Sequence, residues 1–542
     1  MELFINILAI MTGRQVRMYI YLATVPKEEE IFMESFMDVL THVNDTINTF
    51  VWVQIGLVLL IGAGVLLTIL LGFFQVTHIK HWMKKTIGGV FDKSSHNKNE
   101  KGSVSQFQAL CTALAATIGT GNIAGVSAAI CIGGPGAVFW MWLAAFFGMM
   151  TNFSENVLGI YYRRRNPDGE WSGGAMYYLK DGLGNIIGYE KIGKFLAVLF
   201  SAFAVLASFG IGNMGQVNKI TLNIESAFFP NASDSQVFSG IPLISLIIGI
   251  VLMVIAGVII IGGLERIAAV AERVVPFMAV FYIIGSLIIM IVHITSLGAM
   301  FAAIFKFAFG IKAVAGGASG VAIKTVITQG CKRGVFSNEA GLGSSVMVHS
   351  NSDVKEPVKQ GLWGIFEVFA DTFVVCTMTA VVVLSSGYID LSTGLVKEGV
   401  SDATLVAQAF GNVFGKPGEW FVAIAVLLFA FTTVLGWSHY GSKSVEYLFG
   451  MTGVKVYRVI FVLMIVSGAV MTSSLAWDIS DTFNGLMMIP NLIGVIALSP
   501  VVVSILRNYI DRRLLNKEVE PMLSFFPDIQ KESADAVRSG AE

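Results

Sequence analysis

Eleven apolar runs, each near the length that carries a helix across a bilayer, decide what this chain can fold into. About 20 apolar residues cross roughly 30 Å of hydrocarbon, and such runs fall at about 51–77, 105–133, 136–162, 195–226, 241–262, 268–296, 299–330, 361–386, 417–441, 459–476 and 483–506. None alternates polar with apolar residues as barrel strands of about ten residues do, so the expected fold is an all-α polytopic membrane protein. The chain is 55% hydrophobic and only 13% charged, against roughly a quarter charged in soluble domains, which excludes a soluble protein. Lys and Arg number 36 against 37 Asp and Glu, so no basic field recruits nucleic acid by counterion release. Cys111, Cys131, Cys331 and Cys376 lie in or beside apolar segments without Cys-x-x-Cys spacing and read as packing residues. The 57 glycines, in so apolar a chain, point to helices packed backbone to backbone.

Orientation follows from the basic residues. The connection after the first span carries Lys80, Lys84, Lys85, Lys93, Lys98 and Lys101, and that after the third carries Arg163, Arg164, Arg165, Lys180, Lys191 and Lys194; both are expected to be cytoplasmic. Alternation then places Arg266 and Arg273, the group Lys332, Arg333, Lys355 and Lys359, the group Lys443, Lys455 and Arg458, and finally Arg507, Arg512 and Arg513 on that same side. The opposite connections hold few basic residues, Lys397 and Lys416 among them. Residues 1–50 form an N-terminal extension without the order of a signal peptide. Within it Phe36, Val39, Leu40 and Val43 recur at helical spacing, which predicts an interfacial helix over Glu34 to Asn48. A start of translation at Met33 is the accompanying expectation.

The second span is interrupted near its middle by small and polar residues, Ala115-Ala116-Thr117-Ile118-Gly119-Thr120-Gly121-Asn122-Ile123-Ala124-Gly125. Non-helical backbone at membrane depth is tolerated only where it lines a cavity or is buried in protein. An unwound turn would offer amide donors to an anion and carbonyls to a cation, which suits a zwitterion beside a metal ion. The competing reading is Gly121-x-x-x-Gly125 as a helix-packing motif without a ligand. A dinucleotide fingerprint is excluded because no strand precedes the glycines. The ninth span contributes Phe431-Thr432-Thr433-Val434-Leu435-Gly436-Trp437. Its hydroxyls either bond back to their own helix or, facing the unwound carbonyls, supply oxygens to a hard cation. In the second case Trp437, one turn beyond Thr433, roofs the same pocket. Gly316-Gly317 in the seventh span marks a second candidate break. Counted from residue 105, the two broken helices are the first and sixth. Each then heads a five-helix half, as in inverted-repeat transporters with a midplane site.

Three motifs together, Gly119-Thr120-Gly121-Asn122-Ile123-Ala124-Gly125-Val126, Trp171-Ser172-Gly173-Gly174-Ala175-Met176-Tyr177-Tyr178 and Lys332-Arg333-Gly334-Val335-Phe336-Ser337-Asn338-Glu339-Ala340-Gly341-Leu342-Gly343-Ser344, resemble the alanine/glycine:cation symporters, also called sodium:alanine symporters. The resemblance spans roughly residues 51–510. It implies a leucine-transporter-type fold of about 11 transmembrane helices: an additional helix at 51–79, a first five-helix repeat at 105–296, a second at 299–508, and a cytoplasmic tail at 509–542. It also implies import of alanine or glycine driven by sodium or, less often, protons, with no organic cofactor. By the resemblance, Thr120, Gly121 and Asn122 bind the substrate carboxylate and amine, Gln216 adds a side-chain amide, and Gly316 and Gly317 belong to the second broken helix. Carbonyls of Ala115 and Ile118 with hydroxyls of Thr432 and Thr433 form the sodium site, and Trp437 caps the substrate, its indole favouring small side chains by volume. The motif at 332–344 is assigned to a cytoplasmic connection with a structural or gating role.

Ionisable groups inside a bilayer are functional candidates because each costs about 2.5–3.5 kcal/mol on insertion scales. Glu367 and Asp371, one turn apart, either pair with Lys or Arg near the cytoplasmic end of their span or relay a proton or second cation. Glu155 is expected at the interface, and Lys306 and Lys312 are expected to snorkel outward. Enzyme readings fail: His-Glu-x-x-His is absent, and Gly436-Trp437-Ser438-His439-Tyr440-Gly441 lacks the spacing and strand-to-helix context of a nucleophile elbow. A passive channel is the stronger rival to a symporter, since broken helices and glycines also line pores.

Overall fold

The computed structural model describes residues 27–90, 96, 102–230, 236–238, 241–309, 323–397, 404–471 and 474–539. Helix α1 (Lys27–Thr49) passes through a π-helical turn at Phe50–Ile55 into α2 (Gly56–Leu70). The residues expected to form a separate interfacial helix are thus continuous with the first span, which runs from Asp38 to Leu70. Then follow α3 (Ile79–Val90), which buries Trp82 and Thr86, and the bent pair α4 (Gln106–Thr117) and α5 (Val126–Gly133). Helix α4 is started by a reciprocal capping box, Ser105 with Gln108. Next come α6 (Ala137–Tyr161), α7 (Glu190–Phe209), a π-helical turn at Gly210–Met214, α8 (Gly215–Phe228), α9 (Leu243–Ile261), α10 (Leu264–Val292) and α11 (Leu297–Ala308). The second half holds α12 (Ile323–Asn338), α13 (Pro357–Val368), a π-helical segment at Phe369–Cys376, α14 (Thr377–Ser385) and α15 (Leu405–Phe414). It closes with α16 (Lys416–Ala469), α17 (Ser474–Ala497), α18 (Ser499–Arg513) and α19 (Pro527–Arg538).

Among the described residues eight helices are long and apolar enough to cross a membrane, nine when the bent α4–α5 pair is counted as one span. Two expected spans, 417–441 and 459–476, fall together in α16, which turns at Gly450 where φ is 69°. The expected span 299–330 maps onto α11 and the start of α12, with 310–322 outside the described residues. The run expected at 483–506 is cut at Leu498 into α17 and α18. Pro500 has no N–H to donate to the Ile496 carbonyl and sits well in a first turn, so hydropathy alone joined two helices that proline separates.

Helices α9 and α10 leave Val251, Val254, Val258, Phe277, Ile284 and Ile291 exposed, the faces that lipid covers. The interior is organised around α16, which packs against α4, α7, α8, α9 and α10. Its approach to α4 is backbone to backbone: a Cβ on Gly436 would lie 2.6 Å from the Ala116 Cβ. That contact brings Thr433 to the break between α4 and α5.

Candidate functional site

Helix α4 ends at Ile118, whose ψ of 88° leaves the helical region, and the chain resumes with a bend of 52°. In an uninterrupted helix the Gly119 N–H would donate to the Ala115 carbonyl. Here it donates to the Asn122 side-chain oxygen at 2.9 Å, while the Thr120 N–H donates to Gln216 Oε1 at 3.2 Å. The Ala115 carbonyl is thereby released, and the Thr433 hydroxyl lies 3.1 Å from it. Gly119 is required at this point, since a Cβ there would sit 2.4 Å from Thr433 Oγ1.

Of the four expected cation donors, Ala115 and Thr433 therefore meet, and Ile118 stands at the end of the helix beside them. Thr433 Oγ1 also lies 3.0 Å from its own helix's Phe429 carbonyl. The neighbouring Thr432 points elsewhere: its hydroxyl bonds back to the Leu428 and Phe429 carbonyls and contacts Met278 Sδ on α10. Adjacent helical residues diverge by about 100°, so one threonine faces the break and its neighbour follows the back-bonding alternative.

Beside the break lies a small cavity of about 10 Å³, room for about one water molecule, lined by Ala116, Thr117, Gly119, Gly121, Ile211, Gln216, Phe336, Glu339, Leu342, Thr433, Trp437 and Asn484. Gly121, Gln216 and Trp437, three of the residues assigned to the substrate by resemblance, line it. The indole packs on Gly212 in the π-helical turn before α8, where a Cβ would lie 2.4 Å from Trp437. Thr120 and Asn122 are not on its wall: both are buried, and the Asn122 side chain is occupied by Gly119 on one end and by Asp371 on the other. Asn122 holds the break in shape. Gly316 and Gly317 lie outside the described residues.

The motif at 332–344, expected in a cytoplasmic connection, instead supplies Phe336, Glu339 and Leu342 to the cavity. After α12 the backbone is non-helical through Ser345, with positive φ at Glu339 (56°), Gly341 (92°) and Gly343 (74°), before a short helix at Val346–His349. This is a second buried break facing the first. Beyond it Ser352 pairs with Val104, just before α4. Lys332, one turn before Phe336, pairs with Asp481 on α17 at 2.6 Å and lies over the Trp52 ring.

Four carboxylates, Glu155, Glu339, Glu367 and Asp371, are buried around these breaks. Neither Glu367 nor Asp371 pairs with Lys or Arg among the described residues. Asp371, in the π-helical segment after α13, accepts from Asn122 Nδ2 at 2.6 Å, from Ser337 at 3.0 Å and from Thr372 at 2.9 Å. Glu367 meets His349 Nε2 at 2.9 Å and Asn152 Nδ2 at 3.4 Å. Gln360 turns its oxygen to the Ser352 hydroxyl and its nitrogen to His349 Nδ1, which puts the imidazole proton on Nε2, donating to Glu367. Glu155, expected at the interface, is fully buried against Asn491 and the Gly341 N–H. Lys306 bonds the Ser392 carbonyl at the surface, and Lys312 lies outside the described residues. Cys376 touches Asn122 and Ser337, and Cys111, Cys331 and Cys376 are buried free thiols.

A helical membrane protein whose two broken segments flank a small buried cavity is a transporter rather than an enzyme. The family model described as "Sodium:alanine symporter family" matches residues 37–522, and the chain belongs to that family. It is 44% identical over 468 residues to the sodium/alanine symporter AgcS of Methanococcus maripaludis, covering 86% of this chain and 96% of the relative. It is 36% identical over 495 residues to the probable sodium/glutamine symporter GlnT of Bacillus subtilis, covering 91% and 95%. Among solved structures it is similar to MhsT in complex with L-phenylalanine, with a TM-score of 0.51 at 14% identity over 76% of this chain and 99% of that one. The fold is thus of the leucine-transporter type, and the protein is a multi-pass, sodium-coupled amino acid symporter.

Proposed function

We propose that this symporter imports alanine or glycine with sodium by alternating access around the cavity between the two breaks. The observation that carries the reading is the Thr433 hydroxyl meeting the released Ala115 carbonyl next to that cavity. Neutral oxygens suit a hard cation, and an ion there orders the same turn whose Gly121 borders the substrate space. Sodium and amino acid then raise each other's affinity by the same factor. Ile118 and Thr432 complete the ion site after a rotation of the Thr432 hydroxyl from its own helix. Gly121, Gln216 and Trp437 contact the substrate, with Thr120 and Asn122 shaping the turn, and Gly316 and Gly317 belong to the helix that leads into the second break. Residues 105–296 and 299–508 act as the two inverted repeats, residues 51–79 add a helix, and the tail at 509–542 faces the cytoplasm. The address is the plasma membrane, or the inner membrane of a two-membrane cell.

The test is uptake of labelled alanine into liposomes containing the purified protein, with an inward sodium gradient compared against potassium and against a proton gradient. Sodium-driven accumulation above equilibrium, competed by glycine, supports the reading; equilibration without any ion requirement refutes it in favour of a facilitator. Competition by glutamine in place of glycine moves the substrate assignment. A second reading, proton coupling, is favoured by the direct contact of Asp371 with Asn122, which links a buried carboxylate to the broken turn. Accumulation driven by protons alone selects it.

A further inference from the structure

Of the residues that line the cavity, Glu339 alone has an acidic or basic side chain. Its side chain is 3% exposed, and Ser344 donates to Oε2 at 2.5 Å from across the break. Trp437 and Tyr440 approach it from α16, and its charged neighbours, Glu367 and Asp371, are both acids. No Lys, Arg or His is hydrogen-bonded or ion-paired to it among the described residues. A buried carboxylate without a counter-ion is costly, so the group either holds a proton or is completed by something cationic. Glu339 is moreover held at φ 56°, a left-handed conformation uncommon for residues other than glycine and concentrated at functional sites. The turn that imposes this conformation is also the one that brings the carboxylate to the cavity.

Of the other side-chain acceptors here, those at the first break are already occupied, and Asn484 Oδ1 on the wall, which has no hydrogen-bond partner, is neutral. Gln216 Oε1 accepts from Thr120, and Asn122 Oδ1 accepts from Gly119. A zwitterionic amino acid entering this space needs an acceptor for its ammonium, and the wall offers one anionic acceptor. We propose that Glu339 binds the α-ammonium of the transported amino acid, making it a determinant of the requirement for an amine. This inference rests on the reading of the cavity as the substrate site. The ammonium supplies the cation that the buried carboxylate lacks, and Ser344 keeps Oε2 fixed while Oε1 takes the ligand.

The experiment is equilibrium binding of labelled L-alanine to the full-length purified protein at saturating sodium, with L-lactate and alaninamide as competitors. Lactate carries a hydroxyl where alanine has its ammonium; alaninamide keeps the ammonium and loses the carboxylate. E339Q is expected to weaken alanine about 10- to 100-fold, the scale of a hydrogen bond between charged groups. It should shrink the preference for alanine over lactate by the same factor, with the sodium half-saturation of the substrate-free protein unchanged. E339D, which keeps the charge on a shorter arm, should retain part of the preference; its melting temperature serves as the folding control for the position. An E339Q protein that binds alanine within about threefold of wild type overturns the proposal, as does a loss in which the alanine-to-lactate ratio is unchanged. A change confined to sodium affinity also overturns it, because the carboxylate then serves the metal ion. Wild-type protein that binds no amino acid overturns the substrate-site reading itself, a result distinguishable from all of these.

Discussion

Gly119→Ala tests whether the break and the ion site are one object. The new methyl group would sit 2.4 Å from Thr433 Oγ1 and 3.3 Å from both Thr433 Cβ and Gln216 Oε1, inside the roughly 3.5–4.0 Å at which non-bonded heavy atoms attract. Backbone cannot yield readily here, because Gly119 N–H is bonded to Asn122 and Thr120 N–H to Gln216. The hydroxyl of Thr433 must therefore turn away from the Ala115 carbonyl, leaving that buried acceptor unsatisfied. Overpacking and an orphaned acceptor each cost about 1–3 kcal/mol, and because one rotation resolves the first by creating the second, the net is about 1–3 kcal/mol. If Thr433 ligates sodium, that energy appears as a rise of about 5- to 150-fold in the sodium concentration for half-maximal alanine uptake. Thermal unfolding isolates the steric part. In a Thr433→Ala background the oxygen that collides is gone, so adding Gly119→Ala should cost less than about 0.5 kcal/mol, a coupling that a double-mutant cycle reads directly. An equal cost in both backgrounds, or an unchanged sodium dependence in the single variant, refutes the reasoning.

Further outcomes follow from contacts elsewhere in the site. Thr433→Val, which keeps the shape and removes the hydroxyl, should raise the sodium requirement before it changes alanine affinity at saturating sodium; titrating uptake against each ligand separates the two. Asp371→Ala leaves Asn122 Nδ2, at 2.6 Å from the lost carboxylate, with only the Cys376 sulfur at 3.4 Å as acceptor; alanine uptake should fall about 5- to 150-fold, from a cost of about 1–3 kcal/mol in the geometry of the turn, while yield of folded protein is measured alongside. Trp437→Ala opens the cavity at its indole wall and should allow larger amino acids to compete with alanine, measured by inhibition with a graded side-chain series. At the surface end of the fold, Arg512→Ala removes the pair of bonds at 3.1 and 2.6 Å to the fully buried Glu356, with Arg513 remaining at 3.5 Å. Stability should drop by about 1.5–3 kcal/mol, the scale of hydrogen bonds lost to a charged group, and Glu356→Gln in the same background should recover part of the melting temperature.

The broken helix at Ile118 to Asn122 was legible because glycines, threonines and an asparagine at mid-span have no other ready explanation in hydrocarbon. Thr433 was legible for the same reason. What Thr432 does was not, since adjacent hydroxyls look equivalent until the face of α16 is known, and that face is set where Gly436 presses on Ala116. Glu339 carried a signal that was misread: Asn338-Glu339-Ala340-Gly341-Leu342-Gly343 has the glycines of a break, but the basic residues before it suggested a loop. Asp371 and Asn122, 249 positions apart, carry no joint signal in one sequence.

The apolar runs determined by themselves that this chain crosses a membrane as helices, because each backbone polar group in hydrocarbon must find its partner within its own segment. They determined nothing about which acids remain without a base, which threonine meets a carbonyl, or where a second break lies. Those depend on neighbours distant in sequence. Only the packing of α12 and α16 against the α4–α5 break decided that Glu339, rather than Asn122, presents its polar end to the cavity, and the reason is that Asn122 had already spent both ends of its amide on Gly119 and Asp371.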